Sequence, residues 1–344
     1  MKVLVTGHHG YIGSVCGPLL ADAGHEVVGL DSLLYRGCDL ASAPSRPIDT
    51  LAGDVRDVGP DQLEGFDAVV HLAALSNDPI GDFSPELTRA INFEATVALA
   101  RAAREAGVRR FVFASSCSMY GTSSDEAVDE SAPLKPLTAY AESKVRSEEA
   151  LAGLAGPDFA PVSMRNATAY GVSPRLRVDL VLNNLVGWAF TTGKVKIMSD
   201  GTPWRPLIHV EDISRAALAA LEAPEDVIRG EAFNVGRNDE NYQVRELGDI
   251  VRETIEGSDV EYAGSGDPDP RSYRVSFDKL GRAFPALELT WTARRGAQEL
   301  ADAYRAAQLT LEEFQGDRFT RLKRLRLLLD RGELDAQLRR REAA

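Results

Sequence analysis

The chain has 344 residues and carries 39 Lys and Arg against 52 Asp and Glu, a net charge of −13. That length accommodates one large α/β domain, or one domain with a smaller lobe, and 44% hydrophobic with 26% charged residues excludes disorder as the dominant state. The acidic balance argues against nucleic acid as a partner, and it requires that any anionic substrate meet a local cluster of Arg or Lys.

Lys2–Thr6 is a short apolar run whose length and β-branching predict a buried strand. It is too short for a secretory signal and leads into Thr6-Gly7-His8-His9-Gly10-Tyr11-Ile12-Gly13. A helix is predicted over Tyr11–Ala23, stopped by Gly24. In this strand–loop–helix setting Gly7 permits the tight turn, Gly10 lets a pyrophosphate approach the backbone, and Gly13 allows close helix–strand packing. The helix N-terminus at Tyr11 and Ile12 supplies unpaired N–H groups for the phosphates.

The next strand, Glu26–Leu30, ends at Asp31, 18 residues after Gly13. A carboxylate there accepts the ribose hydroxyls of NAD and repels the extra phosphate of NADP. Arg36 and the two loop histidines keep NADP as the alternative. Asp54 and Val55 follow the third strand, where a carboxylate reaches the adenine amino group. Asp67–Leu72 is the fourth strand, and Leu72, Ala73 and Ala74 are small or apolar enough for the cofactor to lie close. His71 reads more readily as a satisfied core histidine than as a ligand.

Pro85–Ala106 is predicted as one long helix, closed by Gly107. The strand Arg110–Ser115, the helix Ala139–Leu154 and the strand Pro161–Arg165 follow. Strands separated by helices predict an α/β fold with a Rossmann-type doubly wound parallel sheet. Past Ala167 the pattern loosens. Helices are predicted at Leu180–Thr192, Val210–Glu222, Val244–Glu256 and Thr292–Ala306, with short strands at Lys194–Met198 and Ala232–Val235. The division expected is a cofactor domain over 1–166 with later segments returning to it, a smaller α/β substrate-binding lobe mainly over 167–306, and a helical tail over 307–344. Arg318–Arg341 reads as a basic amphipathic helix with Phe319, Leu322, Leu325 and Leu329 on one stripe, packing on the body or on a second subunit, or meeting an anionic partner.

Cys16, Cys38 and Cys117 are odd in number and none has metal-ligand spacing. No metal site and no disulfide framework are expected, and the cytoplasm is the default compartment. No apolar stretch approaches the ~18 residues of a membrane span.

Tyr140-Ala141-Glu142-Ser143-Lys144 opens a helix, so Tyr140 and Lys144 share one face, a turn apart. A cationic lysine near a phenol favours phenolate and lowers its pKa from ~10 toward neutrality. Upstream, Ser115-Ser116-Cys117-Ser118-Met119-Tyr120-Gly121 lies at the carboxyl end of a strand, where α/β sheets bind ligands.

With the glycine loop, Asp31, His-x-Ala-Ala at His71–Ala74, and Asn92, these motifs resemble the extended short-chain dehydrogenase/reductases of the NAD-dependent epimerase/dehydratase family, from Lys2 to about Ala306. The resemblance implies NAD as cofactor, a nucleotide-diphosphate sugar as substrate, and a homodimer formed through the helices near Asn92–Arg104 and Tyr140–Leu151. It puts Ser116 on the catalytic Ser/Thr, Tyr140 on the acid/base and Lys144 on its partner, and Asn92 among the cofactor contacts. Sugar 4,6-dehydratases of the family carry Asp-Glu directly after the catalytic Thr, and decarboxylases usually carry Glu at the second of those positions. Here the two are Cys117 and Ser118, leaving Glu142 or Asp78 as the substitutes from elsewhere. Epimerisation at C4 through a transient keto sugar is therefore the expected reaction. Net reduction of a 4-keto sugar is the alternative, followed by dehydration, decarboxylation or a non-catalytic nucleotide sensor.

For the substrate the resemblance points to Asn184 and Arg205 at the diphosphate, with Arg271 as a second arginine. It also brings Ser118 and Thr168 toward the sugar; Thr168 replaces an Asn of the family pattern. Ser76-Asn77-Asp78 lies where the sugar would sit, with Arg175, Arg177 and Asp179 lining the approach. His209 is expected to be structural, and helix capping is the alternative for Asn183-Asn184.

Overall fold

The computed structural model describes residues 1–41, 43, 47–76, 84–262 and 271–341, and of 123–125 only the backbone. In chain order the first half runs β1 (Lys2–Thr6), α1 (Gly13–Asp22), β2 (Glu26–Asp31), β3 (Asp49–Ala52), β4 (Ala68–His71), α2 (Ala95–Glu105), β5 (Arg110–Ser116), β6 (Thr122–Val128), α3 (Ala139–Leu154) and β7 (Ala160–Asn166). The second half runs β8 (Thr168–Tyr170), α4 (Val181–Thr192), β9 (Lys194–Ile197), β10 (Trp204–His209), α5 (Val210–Glu222), β11 (Glu231–Val235), β12 (Asn241–Gln243), α6 (Val244–Thr254), β13 (Asp259–Tyr262), β14 (Ser272–Val275), α7 (Ala293–Ala306) and α8 (Arg321–Asp330).

Among the described residues, seven strands form one parallel sheet in the order β11-β7-β5-β4-β1-β2-β3. The chain direction of winding reverses between β1 and β4, and a doubly wound sheet binds ligands in the crevice at that point. Both faces are covered, so alternate residues of one strand enter different cores. Val3, Val5, Ala68, Val70 and Val112 pack with Cys16 and Leu20 of α1 and Ile213 and Ala217 of α5. Leu4, Val69, Phe111 and Phe113 pack on the other side with Leu99 and Ala103 of α2 and Leu151 of α3. Glu231–Val235, after the break at Ala167, returns to this sheet as the edge strand beside β7.

The remaining strands make small sheets. β10 joins β8 in parallel and β12 antiparallel, β13 pairs with β9, and β14 pairs with β6. A separate apolar core unites Leu182, Leu185 and Val186 of α4 with Leu247 of α6, Leu300 and Tyr304 of α7, and Phe319.

Two predicted helices differ in detail. Pro85–Ala106 is interrupted by a π-helical segment over Arg89–Glu94. Asn92 lies in it, and its carbonyl accepts from the hydroxyls of both Thr96 and Ser147. The tail helix is shorter than the sequence suggests, ending at Asp330. Gly332, at φ +69, ends it, with its N–H on the Leu329 carbonyl and that of Glu333 on Leu328. This is the paired-bond C-cap that a glycine in the left-handed region favours.

Candidate active site

The loop after β1 is built from close backbone contacts. Gly7 has φ +72, and a Cβ there would lie 2.7 Å from the Ala73 nitrogen. A Cβ on Gly13 would lie 2.3 Å from the Gly7 carbonyl oxygen. No side chain caps α1 and no acidic residue lies in its first turn, which leaves its N-terminal end to attract an anion. Asp31, at the end of β2, accepts from the backbone N–H of His9 at 3.1 Å and of Leu33 at 2.7 Å. Gly7, Gly10, Tyr11, Ile12, Gly13, Asp31, Asp54, Val55, Leu72, Ala73 and Ala74 all line one cavity of about 150 Å³. A tightly turned glycine backbone without side chains, a free helix end, a carboxylate after β2 and apolar walls fit a dinucleotide such as NAD.

Several of these side chains have internal partners as well. The buried Tyr11 hydroxyl donates to the Gly171 carbonyl at 2.7 Å, fixing the loop to the second half of the chain. Asp54 is held by Arg56, whose Nε lies 2.9 Å from Oδ1. Burial would raise the Asp54 pKa, but hydrogen bonds from Arg56 hold it below the usual carboxylate range. Asn92 does not line the cavity. Its side-chain amide bonds both backbone groups of Leu75 (Oδ1 from the N–H at 2.8 Å, Nδ2 to the carbonyl at 3.0 Å), so it positions a residue that does. His71 is fully enclosed, bonded to Thr6 at 2.6 Å and Thr96 at 2.8 Å and stacked on Phe113. Burial drives its pKa down to about 3, so it is a neutral core residue.

A second cavity, of about 510 Å³, lies beside the first, and Ile12, Leu72, Ala74, Ser76, Ala169 and Arg177 line both. Ser116, Ser118, Tyr140 and Lys144 line the second one. Ser116 ends β5, and its hydroxyl donates to the Ser118 hydroxyl at 2.9 Å. Thr138 caps α3 by accepting from the Ala141 N–H at 3.2 Å, which sets Tyr140 and Lys144 in the first turns. The Lys144 ammonium is 5.6 Å from the Tyr140 ring centroid and 4.5 Å from that of Phe113, and it donates to the Ala114 carbonyl at 2.6 Å. Burial pulls its pKa down to about 7, against a smaller opposing effect of Glu148.

Cys117 turns away from this cavity. Its thiol is buried, donates to the Arg165 carbonyl at 3.0 Å, and has its pKa pushed up by burial. Glu142 does not line the cavity and is paired with Arg146 at 2.6 Å. Among the described residues Asp179 is the one carboxylate on its wall, and it is held by Arg177 at 2.7 Å.

Thr168, Asn184, Arg205 and Arg271 also line the larger cavity. Asn184 does not cap α4; its side-chain amide donates to the Val178 carbonyl at 2.9 Å. Arg205, on β10, is buried and donates to the carbonyls of Trp204 and Arg271. Arg175 lines neither cavity. It lies against His9 at 2.9 Å and pairs with Asp39. His209 bonds Glu299 at 2.9 Å and stacks on Trp291. Asn77, Asp78 and the Gly264–Pro270 loop lie outside the described residues. No group of three His, Cys, Asp or Glu suited to a metal ion occurs among the described residues, and no helix there is long and apolar enough to cross a membrane.

Arg177 carries no signal of its own in the sequence beyond its order in the chain. The structure puts it on the wall common to both cavities, where it donates to the Ser76 carbonyl at 3.1 Å.

Residues 3–236 match the NAD dependent epimerase/dehydratase family. The UDP-glucose 4-epimerase of Corynebacterium glutamicum is 32% identical over 309 residues, spanning 85% of this chain and 91% of that protein. A dTDP-D-glucose 4,6-dehydratase of Mus musculus is 30% identical over 321 residues, 88% of each chain. A solved UDP-glucuronic acid 4-epimerase from Bacillus cereus, in complex with UDP-glucuronic acid and NAD, superposes with a TM-score of 0.75 at 26% identity, covering 89% of this chain and 99% of the other.

Proposed function

The chain belongs to the NAD dependent epimerase/dehydratase family, and we propose that within it the protein is an NAD-dependent nucleotide-sugar epimerase that inverts C4 of a UDP-sugar. One observation carries this reading. Tyr140, Lys144 and Ser116 line a cavity that adjoins the glycine-loop cavity, and its only carboxylate among the described residues is committed to Arg177. Loss of water from a sugar needs an additional acid and base, whereas reversible oxidation at one carbon needs a single acid/base group. The 4-epimerases among the relatives support the same choice.

NAD, when bound, would supply a reversible hydride acceptor for C4. Tyr140 takes the proton of the C4 hydroxyl as the carbonyl forms and returns it when the sugar is reduced on its opposite face. Lys144 lies one turn further along α3; as an ammonium it has three donors and spends one on Ala114, leaving the others for the phenol oxygen and the cofactor ribose. Ser116, with Ser118 behind it, shares a proton with the same sugar oxygen. Arg205 and Arg271 face the diphosphate, which the planar guanidinium suits. Asn184 and Thr168 complete the substrate wall, with Asn77 assigned there from the sequence. The same reading has the enzyme act in the cytoplasm, which three free, buried cysteines support, as a homodimer through the helices near Asn92–Arg104 and Tyr140–Leu151.

The test is to incubate the purified protein with a panel of UDP-, dTDP-, GDP-, CDP- and ADP-sugars and follow products by NMR. A C4 epimer formed from a UDP-sugar without added NAD is the expected result. Stoichiometric consumption of added NADH would make the protein a ketoreductase, and a dehydrated keto sugar would make it a dehydratase.

A further inference from the structure

The tail beyond α7 crosses the cofactor cavity. Phe319 anchors its start in the core of the second lobe, where its carbonyl accepts from the Val178 N–H. Leu325 and Leu328 of α8 then pack with Leu34, Leu75 and Leu87. Beyond the Gly332 turn, Arg339 pairs with Asp57 and Arg340 donates to the Leu33 carbonyl at 2.7 Å. The tail therefore grips the segments that follow β2, β3 and β4, next to Asp31, Asp54 and Leu72 at the carboxyl edge of the sheet.

Two tail residues, Arg321 and Leu338, are part of the cavity wall. Leu338 is held at φ +56, a conformation costly for a branched side chain and one that gathers at ligand clamps. Arg321 is 2% exposed. Its Nη2 donates to the Arg175 carbonyl at 2.8 Å, and its guanidinium lies 4.1 Å from the Tyr35 ring centroid. Its Nη1 is buried with no hydrogen-bond partner among the described residues. Burial lowers its pKa, and the nearby charge of Arg177 acts in the same direction. A buried guanidinium donor without an acceptor is expensive; Arg321 belongs to the cavity wall, and a small turn of its guanidinium toward an anion there would satisfy it. The segment is suited to that task, with nine Lys or Arg against three Asp or Glu between residues 318 and 341 of an otherwise acidic chain.

We propose that the C-terminal tail is a strap that completes the cofactor site, and that Arg321 donates from Nη1 to the cofactor's pyrophosphate opposite the N-terminus of α1. The proposal rests on the assignment of NAD to this cavity. Its consequence is retention: the dinucleotide is held between the glycine loop and a segment that must lift to release it, which suits an enzyme that regenerates its cofactor in every turnover.

The experiment compares the full-length protein with Arg321→Gln and Arg321→Lys. NAD retained through gel filtration is released and quantified, and affinities for ADP-ribose and adenosine are measured after the cofactor is stripped. Arg321→Gln should retain less than a tenth of the parent's NAD and bind ADP-ribose at least tenfold more weakly. Adenosine, which has no phosphate, should change less than twofold, and Lys should recover part of the loss. Equal loss of ADP-ribose and adenosine, or NAD retention unchanged in Arg321→Gln, overturns the proposal and leaves the cofactor assignment standing. A parent protein that binds neither NAD nor ADP-ribose overturns the assignment itself, and the strap with it. Because Arg321 is buried, a second measurement uses the unaltered chain. Amide hydrogen exchange in Arg321–Asp330 should slow at least tenfold when ADP-ribose binds, and no change there rejects the strap.

Discussion

Glu148 holds Arg165 through both carboxylate oxygens, at 2.8 and 3.2 Å among its contacts, in a pair of which each side chain is 8% exposed. Glu148 lies one turn beyond Lys144 on α3, so the nearest carboxylate on that helix is committed elsewhere. The pair also reaches the tyrosine of the serine-rich turn, because Arg165 donates to the Tyr120 hydroxyl at 3.0 Å. It thereby ties the helix bearing Tyr140 to strand β7 and to the turn after Ser116. Glu148→Ala should cost about 3–5 kcal/mol in urea unfolding, since it leaves a buried guanidinium uncompensated. The double variant Glu148→Leu/Arg165→Met should cost clearly less. Equal losses would show that the pair is not the source of the effect.

Lys144 titrates as a consequence. Its folded pKa is drawn down to about 7 by burial, whereas an unfolded lysine titrates near ~10.4. Between those values the unfolded chain binds the extra proton, so stability rises with pH across that window. The penalty is present in full below about pH 7 and gone above roughly pH 10.4; a shift of this size is on the order of 4–5 kcal/mol. Stripped of cofactor, Lys144→Met should be more stable than the parent near pH 6 and lose that advantage by about pH 10. Parallel stability curves for the two proteins would refute this.

Tyr140→Phe removes the phenolic proton carrier and keeps the ring over which Lys144 sits. Turnover should fall by about 10²–10⁴-fold, the usual contribution of a positioned acid/base, while bound NAD stays at the parent level. Turnover within a few-fold of the parent would mean that a different group moves the proton.

What could be read from the sequence followed the range of the interactions involved. β1, the glycine loop and α1 are contiguous, and each glycine meets atoms within the loop or the adjoining strand end, so the pattern carried the geometry. Tyr140 and Lys144 depend on helical spacing alone. Asn92 was legible as a motif but not as a contact, because its partner Leu75 is set by the π-helical segment rather than by composition. The pairing of β6 with β14 joins residues 147 to 150 apart by their numbering, and no local pattern encodes it. Arg177 and Arg321 are ordinary surface-type residues in the sequence. They enter the cavity walls because Asp179 and Tyr35, respectively, meet them in the folded chain.

The glycine loop offers a test that separates packing from chemistry. In Gly13→Ala the added Cβ would meet the Gly7 carbonyl oxygen at 2.3 Å and the His8 Cα at 2.5 Å, both backbone atoms that cannot rotate aside. The loop must open, and NAD retention should drop at least tenfold, an effect of about 1.4 kcal/mol or more. Gly24→Ala is the control, because nothing lies within 4 Å of a Cβ there; its φ of +91 makes it strained, so it should cost stability and leave cofactor retention unchanged. Comparable loss of NAD in both variants would assign the effect to global destabilisation.

Arg205 separates binding from turnover. It lies on β10, buried in the larger cavity wall and fastened to the Trp204 and Arg271 carbonyls. If it holds the diphosphate in both ground and transition states, its loss weakens uniform binding and leaves the chemical step alone. Arg205→Met should therefore raise KM about tenfold or more, the scale of one charge-assisted contact of roughly 1.5–3 kcal/mol, with kcat within threefold. Arg205→Lys should recover little, because a point charge cannot reproduce the planar fork. A fall in kcat at unchanged KM would move Arg205 from the diphosphate to the reacting end of the sugar.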